Sequence, residues 1–246
     1  MVEVLKAIDL VVGYKPGAPV AGPLNLTINR GDLVLLSGRN GSGKTTFLKT
    51  VAGLLKPLSG TISAPGAVLI PTRIPKVKGF TVTEFVNTGL SFSLSTGHSA
   101  PSSQKLGDRS SGTEQPAERD GYLPPDDLTP NFHEEGGRYP SRITEGDGYP
   151  SRGFSVGETL ELLGIAELAD RDISTLSDGQ FQKACLAPAL ASGKQLILLD
   201  EPTAFLDSES RDNLMQLLSS FTNFAVILSS HDTAACKPHC NRFISL

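Results

Sequence analysis

The sequence predicts an α/β fold built around a parallel sheet, and three observations carry that expectation. A short apolar run, Leu33–Leu36, leads into Gly38-Arg39-Asn40-Gly41-Ser42-Gly43-Lys44-Thr45, and helical periodicity follows it. Two later runs, Leu196–Leu199 in QLILLDEP and Ala225–Leu228 in FAVILSSHD, are continuously apolar, as strands buried on both faces are. Between them, Leu214, Leu217, Leu218 and Phe221 mark a helix opening after Asp207–Ser208. A strand, a helix and a second apolar strand imply a right-handed crossover.

In chain order, the 246 residues begin with four β-like runs: Val2–Leu5, Ile8–Val12, Leu24–Ile28 and Leu33–Leu36. Turn-forming clusters such as GYKPGAP and NRGD separate them. Lys44–Leu55 is expected to be helical, with Phe47, Leu48, Val51, Leu54 and Leu55 on one face and Pro57 as the stop. Strands at Thr61–Ile62 and Val68–Ile70 follow. Ser93–Arg152 has seven prolines, eight glycines, no valine and one isoleucine. Such a composition buries too little apolar area to offset the entropy of ordering it, so disorder is expected there. The segment carries one small repeat, YPSR at Tyr139–Arg142 and Tyr149–Arg152, read as a locally duplicated linker. Order is expected to return near Phe154, where Leu160, Leu163, Ile165 and Leu168 have helical spacing.

A net charge of −4 offers no basic surface for nucleic acid. Three cysteines, Cys185, Cys236 and Cys240, show no disulfide framework and fit a reducing compartment. CKPHC at Cys236–Cys240 matches no usual zinc spacing. The N-terminus reads as a strand and not a signal peptide, and no run of about 18 apolar residues is present, so any membrane role is expected to be peripheral.

The loop Gly38–Thr45 has the spacing G-x-x-x-x-G-K-[ST] in the required strand–loop–helix context. Its glycines let successive backbone N–H groups turn toward phosphates, and the helix N-terminus adds a favourable field. Lys44 is expected to reach the β- and γ-phosphates, and Thr45 to place its hydroxyl on Mg²⁺. Asp200, ending an apolar strand, is the natural second metal residue, because strand C-termini face the ligand crevice of such sheets. Glu201 beside it could polarise an attacking water. His231 falls at the same sheet edge. No N-K-x-D guanine-reading motif follows the loop, which disfavours GTP.

With LSDGQFQK (Leu176–Lys183) some twenty residues before LILLDEPTAFLD (Leu196–Asp207), the chain resembles the ATPases of ABC transporters. That resemblance covers everything except the Ser93–Arg152 segment. It implies a P-loop NTPase core with an N-terminal antiparallel β-subdomain and a small helical subdomain carrying a long disorder-prone insert. As a single ABC ATPase domain, residues 1–72 and 184–246 would form the core and 73–183 the helical subdomain. It implies ATP and Mg²⁺ as ligands, bound by Tyr14 on adenine and by Gly38, Arg39, Asn40, Gly41, Ser42, Gly43, Lys44, Thr45 and Thr46. Lys44, Glu201 and His231 would be catalytic. Thr45 and Asp200 would hold the metal, with Thr72 a third candidate. Ser177, Gly179, Gln180 and Asp207 would complete the nucleotide site of a second ATPase subunit, the same chain or a different one. The expected partners are transmembrane permease subunits and, indirectly, a substrate-binding protein, at the cytoplasmic face of the inner membrane. Nucleic acid is not among them. TVAGLLKPLSGTI and the Asp178 variant of the signature resemble importers of iron-siderophore, haem or cobalamin. The alternatives are a non-transport ABC ATPase and a regulatory one with weak catalysis. Against the first, the insert has no heptads and the chain only one ATPase cassette.

Three positions depart from the family pattern. Thr72 stands where the family has a glutamine that relays nucleotide state to the membrane subunits, so weakened coupling with retained ATP binding is expected. Pro188 stands where an arginine is usual, within the helix that starts at the signature, and should kink that helix or end it early. The Ser93–Arg152 insert replaces or lengthens the middle of the lobe that receives the permease, and is expected either to alter the partner groove or to loop out of it.

Overall fold

A computed structural model describes residues 2–64, 66–95 and 154–246. Most of the Ser93–Arg152 segment, including both YPSR copies, lies outside the described residues. Five parallel strands form the central sheet: β3 (Leu33–Ser37), β5 (Ala67–Ile70), β6 (Leu196–Asp200), β7 (Ala225–Ser229) and β8 (Arg242–Ser245), in the order β5-β6-β7-β3-β8. A second, antiparallel sheet has the order β2-β1-β4, from β1 (Glu3–Val12), β2 (Ala21–Asn29) and β4 (Ser59–Ser63). The two N-terminal runs read separately in the sequence are thus one strand. Its interruption is a bulge in which Asp9 takes φ 48° and the pairing with both neighbours shifts register.

The pleat of the central sheet sorts its side chains into two cores. Leu33, Leu35, Ile197 and Leu199 face one core, while Val34, Leu36, Leu196 and Leu198 face the other. On the second side lie the antiparallel sheet and α1 (Lys44–Val51), through Leu5, Leu10, Phe47 and Leu48. The first side holds α4 (Asp178–Ala191) and α5 (Ser208–Ser219), through Leu186, Leu190, Leu214 and Leu218. The remaining helices are α2 (Val82–Ser95), α3 (Val156–Leu162) and α6 (Thr233–Cys236). Leu160, Leu163, Ile165 and Leu168 are all buried, in α3, the short 3₁₀ turn after it and the residues that join the two. Among the described residues no helix is long and apolar enough to cross a membrane.

Two helix ends differ from the sequence expectation. The first helix stops at Val51, not near Pro57. Gly53 adopts φ 76°, its N–H donates to Thr50 (3.0 Å), and Leu54 N–H donates to Lys49 (2.9 Å). This left-handed closure satisfies two terminal carbonyls four residues before the proline could act. Conversely, α4 does not end before Pro188 but continues to Ala191, and Ser192 N–H still donates to the Pro188 carbonyl at 3.0 Å. Burial of Cys185, Leu186, Ala187, Ala189 and Leu190 around the proline holds the helix together against the missing bond.

Candidate functional site

The turn from β3 into α1 brings the phosphate-loop residues to the C-terminal edge of the central sheet. Gly43, the N-cap of α1, has φ 100°, a conformation that side-chain-bearing residues rarely adopt, and an added Cβ would lie 2.9 Å from Val20 Cγ1. Buried Lys44 curls over its own loop, its Nζ donating to the carbonyls of Gly38 (3.0 Å) and Arg39 (3.3 Å). The Thr45 hydroxyl donates to Asp200 Oδ2 at 2.9 Å, across from the end of β6. Parallel pairing of β6 with β7 sets Asp200 opposite Ser229, whose hydroxyl donates to Asp200 Oδ1 at 2.8 Å.

Glu201, the next residue, sits in the left-handed region at φ 53°. For a residue with a side chain this conformation costs about 1–2 kcal/mol. The bend turns its side chain toward the His231 loop. Glu201 Oε2 accepts the His231 backbone N–H at 3.0 Å, and Oε1 lies 3.3 Å from His231 Nε2. The Glu201 side chain is 11% exposed, whereas that of His231 is 58% exposed. The acid is therefore held in place while the imidazole can still reach solvent.

These groups share one cleft of about 620 Å³. Asn40, Gly41, Gly43, Lys44, Thr45 and Thr46 line its floor, and exposed Tyr14 lies beside Val20. Thr72, Asp200, Glu201 and His231 complete the lining. Gly38 and Arg39 face Lys44 through their carbonyls. Buried Ser42 Oγ has no hydrogen-bond partner, and Glu201 Oε1 makes no hydrogen bond beyond its approach to the His231 imidazole. A hydroxyl and a carboxylate converging within 2.9 Å are hard oxygen donors of the kind Mg²⁺ takes, and Glu201 Oε1 in the same cleft keeps hydrogen-bonding capacity for a ligand. The residues present fit a magnesium-bound nucleoside triphosphate.

Ser177, Gly179 and Gln180 line a different cavity, of about 240 Å³, together with Ser210 of α5. Ser177 caps α4 reciprocally with Gln180: Gln180 N–H donates to Ser177 Oγ (3.2 Å) and Ser177 N–H to Gln180 Oε1 (3.1 Å). Asp207 caps α5 by accepting the Ser210 N–H at 2.7 Å, and that bond holds its carboxyl below the usual aspartate range. Sequence reading missed two contributors. Ser229 looked like the polar end of an apolar strand, and only strand register reveals its neighbour Asp200. Arg211 looked like an ordinary helix-surface cation, yet it pairs with Asp232, next to His231.

A parallel sheet, a glycine-rich phosphate loop and strand-end acids define a nucleoside-triphosphate-hydrolysing α/β protein. The model of the ABC transporter family matches residues 21–204, and the chain belongs to that family. The family's ATP-binding domains bind ATP with Mg²⁺ and hydrolyse it. An uncharacterized ABC transporter ATP-binding protein of Methanocaldococcus jannaschii is 31% identical over 234 residues, covering 93% of this chain and 68% of that relative. A zinc import ATP-binding protein of Chelativorans sp. is 30% identical over 222 residues, covering 89% of this chain and 59% of its own length. A probable siderophore transport system ATP-binding protein of Bacillus subtilis is 29% identical over 232 residues, with 93% and 72% covered. Among solved structures, an ABC-transporter cassette in its ADP conformation has TM-score 0.68 at 18% identity, covering 100% of this chain and 88% of that one. The cbiO1 protein of Clostridium perfringens, part of the transporter complex cbiONQ, has TM-score 0.66 at 21% identity, with 100% and 85% covered.

Proposed function

We propose that this chain is the ATP-hydrolysing subunit of an importer, working at the cytoplasmic face of the inner membrane on transmembrane permease partners. The observation that carries this reading is a division of labour. The phosphate loop, Thr45–Asp200 and Glu201–His231 share one cleft, while Ser177, Gly179 and Gln180 line another. The second cavity lies at a helix start, whose positive end suits a phosphate, apart from the loop that would hold one. Two chains arranged head to tail, identical or not, complete each other's sites, with Asp207 at the junction.

In each site Tyr14 stacks on adenine and the loop N–H groups from Gly38 to Thr46 cradle the phosphates. Lys44 exchanges its loop carbonyls for the β- and γ-phosphate oxygens. Thr45 and Asp200 would hold Mg²⁺, with Thr72 close by, and the ion would supply positive charge to neutralise the triphosphate. Glu201 takes the proton of the water whose oxygen attacks the γ-phosphorus, and the bridging oxygen leaves with ADP. His231 orients Glu201 and reaches the γ-phosphate. A substrate-binding protein delivers cargo to the permease and does not touch this chain. The cargo is iron-siderophore, haem or cobalamin. The form of the signature and the siderophore relative support that class, and the zinc relative makes zinc the control cargo.

The mechanism is tested by Glu201→Gln on a sizing column, which should run as a dimer only with ATP; a monomer in every condition refutes it. Purification from membranes should recover a polytopic permease, and recovery with nucleic acid or ribosomes instead would sink the importer reading. Competition for uptake among the iron-chelate, cobalamin and zinc cargoes then tests the cargo class by itself.

A further inference from the structure

We propose that Ser229 is a positioning residue for ATP hydrolysis, its single hydroxyl setting Asp200 and Glu201 relative to each other. The inference rests on the roles given above to those two acids. Ser229 is fully buried at the end of β7, directly opposite Asp200 in the parallel register. Its hydroxyl donates its one proton to Asp200 Oδ1 (2.8 Å) and accepts the Glu201 N–H (3.0 Å).

Both contacts bear on geometry that is otherwise loosely determined. Asp200 could rotate about its side-chain bond; the Ser229 bond engages Oδ1 and leaves Oδ2 to the Thr45 hydroxyl. Glu201 is held at φ 53°, an unfavourable conformation for a residue with a side chain, and the Ser229 oxygen ties down the amide at the start of that bend. The neighbouring Ser230 has a different task. Its hydroxyl lies 3.4 Å from the Thr203 hydroxyl and accepts the Asp232 N–H at 3.1 Å, which shapes the turn carrying His231. An alanine or valine at 229 would pack in the strand but could make neither contact.

The experiment compares Ser229→Ala, Ser229→Thr and Glu201→Gln in the full chain. Ser229→Ala should lower kcat by about 10–100-fold, the usual cost of losing a hydrogen bond to a metal-holding carboxylate. The KM for ATP should stay within about threefold, since the phosphate loop is intact. Ser229→Thr keeps the hydroxyl and should recover most of the loss. A readout independent of turnover is the Mg²⁺ concentration giving half of the thermal stabilisation by ATP, which should rise severalfold in Ser229→Ala. Turnover within about twofold of wild type, equal loss in the Thr and Ala variants, or an unchanged Mg²⁺ midpoint overturns the inference. If Ser229→Ala fails to fold, Ser229→Cys gives the same reading, because it keeps the volume and offers only a weak donor and acceptor. Full turnover in Glu201→Gln would bring down the assignment of the catalytic acid and this inference with it. Loss in Glu201→Gln without loss in Ser229→Ala would overturn the role of Ser229 alone.

Discussion

Pro188 is the eleventh residue of the 14-residue helix α4, and replacing it should stabilise the protein. A proline in a helix interior lacks the N–H that would bond to the carbonyl four residues earlier, here Ala184, and its ring crowds that carbonyl. Relative to alanine the position costs about 3 kcal/mol. Pro188→Ala also removes two ring methylenes, at about 0.8 kcal/mol each when fully buried. Because the side chain is only partly exposed, most of that loss applies, about 1 kcal/mol. The difference, about 2 kcal/mol of net stabilisation, should raise Tm by about 4–8 °C for a chain of this size. Pro188→Arg should act in the same direction, its stem lying along the partly buried surface. The assay is thermal unfolding followed by circular dichroism, with urea melts to check that the slope is unchanged. An unchanged or lowered Tm in both variants would refute the reasoning. It would mean that the strain has already been relieved by bending, or that the ring packs better than its burial implies.

Burial pushes the thiols of Cys185 and Cys240 up to about 12, so a maleimide at pH 8 should label neither in the native protein and both after denaturation; fast native labelling would contradict the buried placement. Asp207 and Asp172 are held below the usual aspartate range, chiefly by the N–H groups of Ser210 and Gly79 respectively. Their stabilising contribution is therefore complete above about pH 4 and is lost as pH falls through the depressed folded values. Asp172→Asn with Asp207→Asn should flatten the acid side of the stability–pH curve, and an unaltered curve would count against those contacts. Thr72 lines the nucleotide cleft and also a neighbouring cavity of about 570 Å³ that holds Phe181 and Phe205. Thr72→Gln should leave ATP binding within about threefold and raise permease-stimulated hydrolysis; an unchanged stimulated rate would show that the shorter side chain relays nucleotide state equally well.

Long apolar strands were legible because continuous hydrophobicity has few other uses: Leu196–Asp200 and Ala225–Ser229 are buried throughout. The phosphate loop was legible because its spacing is imposed by the ligand. Helix ends were harder. Pro57 is the stronger breaker by composition, but Gly53 lies earlier and its left-handed closure acts first. Pro188 failed as a breaker because tertiary burial outweighs local preference when residues on both sides of it are packed in the core. At the site, residues adjacent in sequence or carrying a motif could be named in advance. Partners that meet only through strand register, such as Ser229 with Asp200, could not. Nor could the pairing of Arg211 with Asp232, which lie 21 positions apart with a complete strand between them.

The two cavities are separate in space but not mechanically independent, and the first turn of α5 is the reason. An added Cβ on Gly179 would come within 3.1 Å of Ser210 Oγ, so the start of α4 packs tightly against that turn. The same turn is capped by Asp207 and carries Arg211, which pairs with Asp232 beside His231. His231 in turn gives its N–H to Glu201. A displacement of the signature end of α4 must therefore move the α5 turn, deform its cap, or open the gap at Gly179. The α5 cap is a charge-assisted bond, and helical bonds fix the spacing of Ser210 and Arg211, so rigid movement of the turn is the softest of the three. That movement would carry Asp232 with it and tug on the loop holding His231 over Glu201. The arrangement thus links the start of α4 mechanically to the placement of Glu201, through packing at Gly179, the Arg211–Asp232 pair and the His231 N–H.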